Sequence, residues 1–198
     1  VQFLRELSVG GLVSRLAAVL IYAALQGAIL AALARLLGDR RPQFDGRLTL
    51  NPFVQVSAWG AAVAALFGVS WVRSIWYDPK ANRLGRLGVV LGVCLGLAAM
   101  LALVPGVDLL RRAALLLPST GATAALLVLE QVQKLTVAST MLAVLPLPGL
   151  PGGALLQALW PNEERRLLQA EPISLFVVIA AIVAFGFPSP DAILQLLR

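Results

Sequence analysis

Side chains able to do chemistry are few in this sequence, and they are widely spaced. There is no histidine at all, which removes the usual general base for a serine or cysteine nucleophile and the commonest metal ligand. Lys134 stands close to Thr136, Ser139 and Thr140, a spacing that suits a serine–lysine dyad. Such a dyad needs burial to depress the lysine. A lysine that buries its stem and carries its charge to the membrane interface is the plainer reading. The single Cys94 lies between Gly92 and Gly96 in an apolar run. One cysteine builds no disulfide framework, and in that setting it reads as a small, inert packing residue. Gln26 and Gln55 are the main polar groups inside apolar runs, whereas a transporter or lipid-handling protein needs polar or ionisable groups at mid-membrane.

The elements that must position these residues are built for lipid. Of 198 residues 59% are apolar and 13% charged, against about 25% charged in an ordinary soluble domain, and the mean hydropathy is +0.86. Six apolar segments stand out: 16–34, 53–72, 87–104, 113–129, 135–159 and 173–187. The fourth is interrupted by "PSTG" and reads as a kinked span or a re-entrant piece. The fifth is broken by "PLPGLPGG" at 146–153, and a broken helix survives in a membrane only where protein or water covers its freed backbone. The first segment is too long for a secretory h-region and reads as a signal anchor. The expected fold is an all-α membrane protein, a single domain over 1–198, with about six transmembrane or re-entrant helices.

The +6 formal charge sits in short loops flanking the apolar runs, the pattern of a membrane protein rather than of a nucleic-acid binder. Arg35, Arg40, Arg41 and Arg47 follow the first segment; Arg73, Lys80, Arg83 and Arg86 follow the second. If both segments cross, these groups lie on opposite sides and their topological signals nearly cancel. Trp71, Trp76 and Tyr77 read as an interfacial aromatic belt. Gly88, Gly92 and Gly96 recur every fourth residue and mark a face for close helix contact, with this chain or with a partner. "NEERR" at 162–166 reads as a solvated loop or surface helix.

"LARLLGDRRPQFDGRLTLNPF" and "LAVLPLPGLPGGALL" together resemble the site-2 protease family, the intramembrane zinc metalloproteases. Ala34, Arg35, Gly38 and Asp39 fit the end of that family's active-site helix. Gly46, Arg47, Leu48, Thr49, Leu50, Asn51 and Pro52 fit its turn-strand. Pro146, Pro148, Leu150, Gly152 and Gly153 fit its downstream Pro-Gly motif, and "YDPKANRLGRLG" resembles the loop between them. The resemblance implies a short β-like insertion after the first core helix. Its edge would line a substrate cleft and could bind an extended peptide, or simply plug the fold.

The residues this family uses for chemistry are not here. Gln26 and Leu30 stand where the resemblance implies zinc histidines, Gly27 where it implies the general base, and Pro151 where it implies an aspartate ligand. A hydrolytic zinc site needs about three donor side chains and an activated water. Leu30, Gly27 and Pro151 offer no donor, so no enzyme activity and no cofactor are expected. Three functions remain open. The chain is an inactive structural or assembly subunit packing against other integral membrane proteins. Alternatively it is a pseudoprotease holding transmembrane segments in the former cleft, or a transporter or lipid-handling protein. All three place it in the lipid bilayer, multi-pass, in a cytoplasmic-type membrane, without nucleic acid.

Overall fold

A computed structural model describes residues 9–197 of the chain; residues 1–8 and 198 of the expected 1–198 domain lie outside the described residues. The elements are α1 (Val9–Leu36), α2 (Arg41–Phe44), α3 (Pro52–Gln55), α4 (Ala58–Phe67), α5 (Gly85–Ala114), α6 (Ser119–Ala143), a 3₁₀ turn (Pro151–Gly153), α7 (Ala154–Leu159), α8 (Glu164–Phe185) and α9 (Asp191–Leu197). The described residues contain no strand, only an isolated antiparallel bridge between Val56 and Val72. Three helices, α1, α5 and α8, are long and apolar enough to cross a membrane.

The six-segment count does not survive folding. Residues 53–72 do not form one helix. Asn51 caps α3, and Ser57 caps α4 through its hydroxyl, which accepts from the Gly60 N–H at 3.3 Å. Gly68 then ends α4 in the left-handed region at φ 71°. Ten residues at 1.5 Å each give about 15 Å, half of a hydrocarbon core. The following residues, rich in Val and Trp, run extended against α4. At Gly60 a Cβ would stand 2.5 Å from the Trp71 carbonyl oxygen, so only glycine admits that approach. Segment 113–129 is neither a kinked span nor re-entrant: it is the end of α5, a tight turn, and the start of α6 after Pro118. The break at 146–153 is present as expected. The last apolar segment starts earlier, at Glu164, and runs through Pro172. Helix α9 was not expected; Leu194 buries it against Val104 and Val137.

Helix α6 packs on both α1 and α5. Its second half is enclosed, with Leu135, Thr136, Val137, Ala138 and Ser139 all buried. The glycine stripe of α5 is covered by this same chain: Gly88 faces Asn82, Gly92 faces Leu37, and Gly96 faces Leu30 and Leu33. Cys94 is not a packing residue. It is exposed, because two residues along a helix turn it about 200° away from Gly92 and Gly96. The aromatic belt is also corrected. Trp71 and Tyr77 are 1% and 7% exposed, since the extended strip carries them into the core.

Because α4 does not cross, the two basic loops meet. The Arg83 N–H donates to the Leu37 carbonyl at 2.7 Å, tying the end of α1 to the approach of α5. Arg41 pairs with Glu164 at the start of α8. Arg35, Arg40, Arg41 and Arg47 therefore share one end of the bundle with Lys80, Arg83 and Arg86. The positive-inside signals that seemed to cancel therefore fall at one end of the bundle. With Cys94→Ala as background, Arg40→Cys and Lys80→Cys are expected to react with an impermeant maleimide from the same side of sealed vesicles. Leu116→Cys, on the α5–α6 turn about 45 Å away along α5, is expected to react from the other side. Labelling of 40 and 80 from opposite sides would mean that 53–72 crosses after all.

Candidate functional site

The segment 46–52 is a pinned loop, not a strand. Gly46 turns the chain at φ 70°. Arg47 then reaches inward and donates to the carbonyls of Val54, at 2.7 Å, and Arg73. The Asn51 N–H donates to Thr49 Oγ1 at 3.1 Å, while Asn51 Oδ1 accepts from the Phe53 N–H at 3.1 Å and starts α3 with Pro52 in its first turn. Leu48 and Leu50 are exposed. Gly46, Arg47, Thr49, Asn51 and Pro52 therefore each have a local structural task. Gln55 closes the loop from beneath, its amide Nε2 donating to the carbonyls of Arg47 at 2.6 Å and Thr49 at 3.0 Å.

The preceding pair, Gly38 and Asp39, is an anchor. Gly38 adopts φ 104°, where a side chain is strained. Asp39 is fully buried; its carboxylate accepts from the N–H groups of Arg41 at 2.9 Å and Asp78 at 2.7 Å. Burial raises its pKa above the ordinary carboxylate value, against the pull of those two donors. Tyr77, beside it, is also raised, by burial first and by the charge of Asp39 second. Arg47 is lowered to about 10 by burial, with the like charge of Arg73 adding to the effect; it remains a cation at neutral pH.

Gln26, Gly27, Leu30 and Pro151 face separate neighbours. Gln26 is fully buried, one helical turn from the equally buried Tyr22. Gly27 lies under Gln55, whose Oε1 would be 2.1 Å from a Cβ there. Leu30 fills the gap left by Gly96, its Cδ2 2.5 Å from the place of a Cβ. Pro151 is buried in the 3₁₀ turn, and neighbouring Ala154 shares a hydrophobic cluster with Leu30 and Ala143. Among the described residues no three His, Cys, Asp or Glu side chains gather as a metal site would require. Lys134 is engaged elsewhere, its Nζ 2.7 Å from Glu130 Oε1. Ser139 is buried and accepts from the Ser70 N–H at 2.9 Å.

A neutral polar cluster occupies the centre instead. Tyr22 Oη, both amide ends of Gln26, Ser70 Oγ and Thr140 Oγ1 are buried without a hydrogen-bond partner among the described residues. Each such group costs about 1–3 kcal/mol of desolvation. The cluster was only half visible in the sequence: Tyr22 and Gln26 interrupt an apolar run, but nothing local ties them to Ser70, Ser139 or Thr140. Gln133 was missed too. It is fully buried, and its Nε2 donates to the Val104 carbonyl at 2.8 Å and to Asp108 at 3.0 Å. In "EQVQKL" it sits among Glu130, Gln131 and Lys134, so nothing in the sequence sets it apart as buried.

One concavity borders the pinned loop, and a second shares Glu171 with it. One is polar, about 460 Å³, lined by Asp45, Arg47, Arg73, Ser74, Trp76 and Glu171. The other is apolar, about 540 Å³, between Trp59 of α4 and the Leu168–Ile179 face of α8. Glu171 lines both, and Ser74 donates to its Oε1.

The fold and the neutral centre define a class, an all-helical membrane-embedded protein with a broken-helix core. No family model, no curated protein and no solved structure matches the chain.

Proposed function

We propose that this chain is a non-catalytic membrane protein of site-2-protease-like ancestry, acting as a structural or assembly subunit against other integral membrane proteins. The observation that carries this reading is the packing at the aligned positions. Gln55 covers Gly27, Leu30 packs at Gly96, and the only donor left is the buried neutral amide of Gln26. Such a centre can support helices but cannot activate water. Helix α8 supplies the outward surface: it is long enough to cross, only 11% of its most apolar stretch is buried, and Ile173, Val177 and Val183 point away from the chain.

The test is purification of the native chain in mild detergent, read by composition and by metal content. The expected result is a second membrane protein in stoichiometric amount, lost in Val177→Gln/Val183→Gln, with zinc far below one atom per chain. One zinc per chain, or cleavage of a transmembrane substrate, would overturn the non-catalytic reading. Purification as a partner-free monomer would overturn the assembly role.

A further inference from the structure

We propose that the two concavities that share Glu171 bind one phospholipid, its phosphate between Arg47 and Arg73, its primary amine facing Asp45 and Glu171, and an acyl chain along the Trp59–Phe176 groove. The proposal is independent of the assembly role. Among the described residues no carboxylate stands within ion-pair distance of either arginine. Arg47 is held by two backbone carbonyls, which satisfy hydrogen bonds without neutralising its charge. Arg73 is exposed. Two unneutralised guanidiniums at one pocket wall suit a phosphate, which accepts from both. The two carboxylates in the same wall balance the charge of an ammonium and would repel a second anion.

Glu171 joins the halves. It lies seven residues into α8, about 10 Å along its axis, and the rest of the α8 wall of the groove, Leu168, Pro172, Leu175, Phe176 and Ile179, is apolar. A polar end with matched charges that opens into an apolar channel has the polarity of a phosphoethanolamine lipid. A transmembrane helix would bring apolar side chains to both ends and leave the arginines unpaired.

The test uses the full chain, stripped of lipid in detergent and then offered phosphatidylethanolamine, phosphatidylcholine or phosphatidylglycerol with identical acyl chains. Native mass spectrometry counts the lipid retained. The expected result is one phosphatidylethanolamine per chain, retained under activation that removes the other two. Arg73→Gln, at an exposed side chain, is expected to weaken retention about tenfold, and Phe176→Asn to weaken it as well. Arg165→Gln, an exposed cation on α8 that lines neither concavity, leaves it unchanged. Equal retention of the three lipids, detergent adducts alone, or an unaffected Arg73→Gln variant would overturn the proposal. So would a single-span peptide that outcompetes the lipid in the wild type but not in Arg73→Gln.

Discussion

Gly152→Ala is expected to destabilise this protein more than any other single methyl group added to it. A Cβ at residue 152 would stand 2.4 Å from the Leu145 carbonyl oxygen and 2.7 Å from those of Ala143 and Val144. These are the carbonyls of the last residue of α6 and of the two residues after it, converging on the 3₁₀ turn. None is the end of a flexible side chain, so none can step aside. The turn is also pinned: Leu147 N–H donates to Leu145 O at 2.8 Å, and Gly153 N–H to Leu150 O at 2.9 Å. The cost is placed at about 3 kcal/mol or more, the upper end for overpacking, out of a total of about 5–15 kcal/mol. Gly106→Ala is the control. No atom lies within 4 Å of its Cβ position, it is inside α5, and relief of helix glycine there is worth up to about 1 kcal/mol of added stability. Unfolding titrations in denaturing detergent should separate the two variants in opposite directions. A Gly152→Ala protein as stable as Gly106→Ala would show that the broken-helix junction is not packed this way.

The second large effect concerns placing His, Glu and His on α1. Gln26→His/Gly27→Glu/Leu30→His is expected to give no proteolysis and to accumulate poorly. The glutamate would have to expel Gln55, because even a Cβ at residue 27 lies 2.1 Å from its Oε1 and 2.3 Å from its Cδ. Expelling Gln55 releases the Arg47 and Thr49 carbonyls it holds. Leu30→His removes the side chain packed against Gly96, and Pro151 still provides no third ligand. Gly27→Ala alone isolates the steric part, at about 1–3 kcal/mol. The clash disappears in Gly27→Ala/Gln55→Ala, so the pair should be non-additive, with a coupling of about 1–3 kcal/mol. Strict additivity, or zinc-dependent cleavage by the triple variant, would mean that Gln55 does not close this site.

The sequence alone was enough for the class of protein. Apolar runs around 16–34, 87–104 and 173–187 all lie in long helices, because a helix that is apolar on most faces satisfies its own backbone and needs no distant partner to be recognised. The breaks at "PSTG" and "PLPGLPGG" were equally legible, because proline and glycine act on their own backbone. Hydropathy could not distinguish a span from an apolar hairpin. One face of α4, Gly60, Val63 and Ala64, and the strip Val69–Val72 after it are buried, and their reversal depends on Trp71 meeting Gly60 across the turn. That reversal placed both basic loops at one end, carried Trp71 and Tyr77 inward, and replaced the expected β-like edge with a loop pinned by Arg47 and Gln55. The candidate lipid site rests on contacts of the same kind. Arg47, Arg73 and Glu171 are distant in the chain, and only the packing of α8 against the loop brings their charges to one wall.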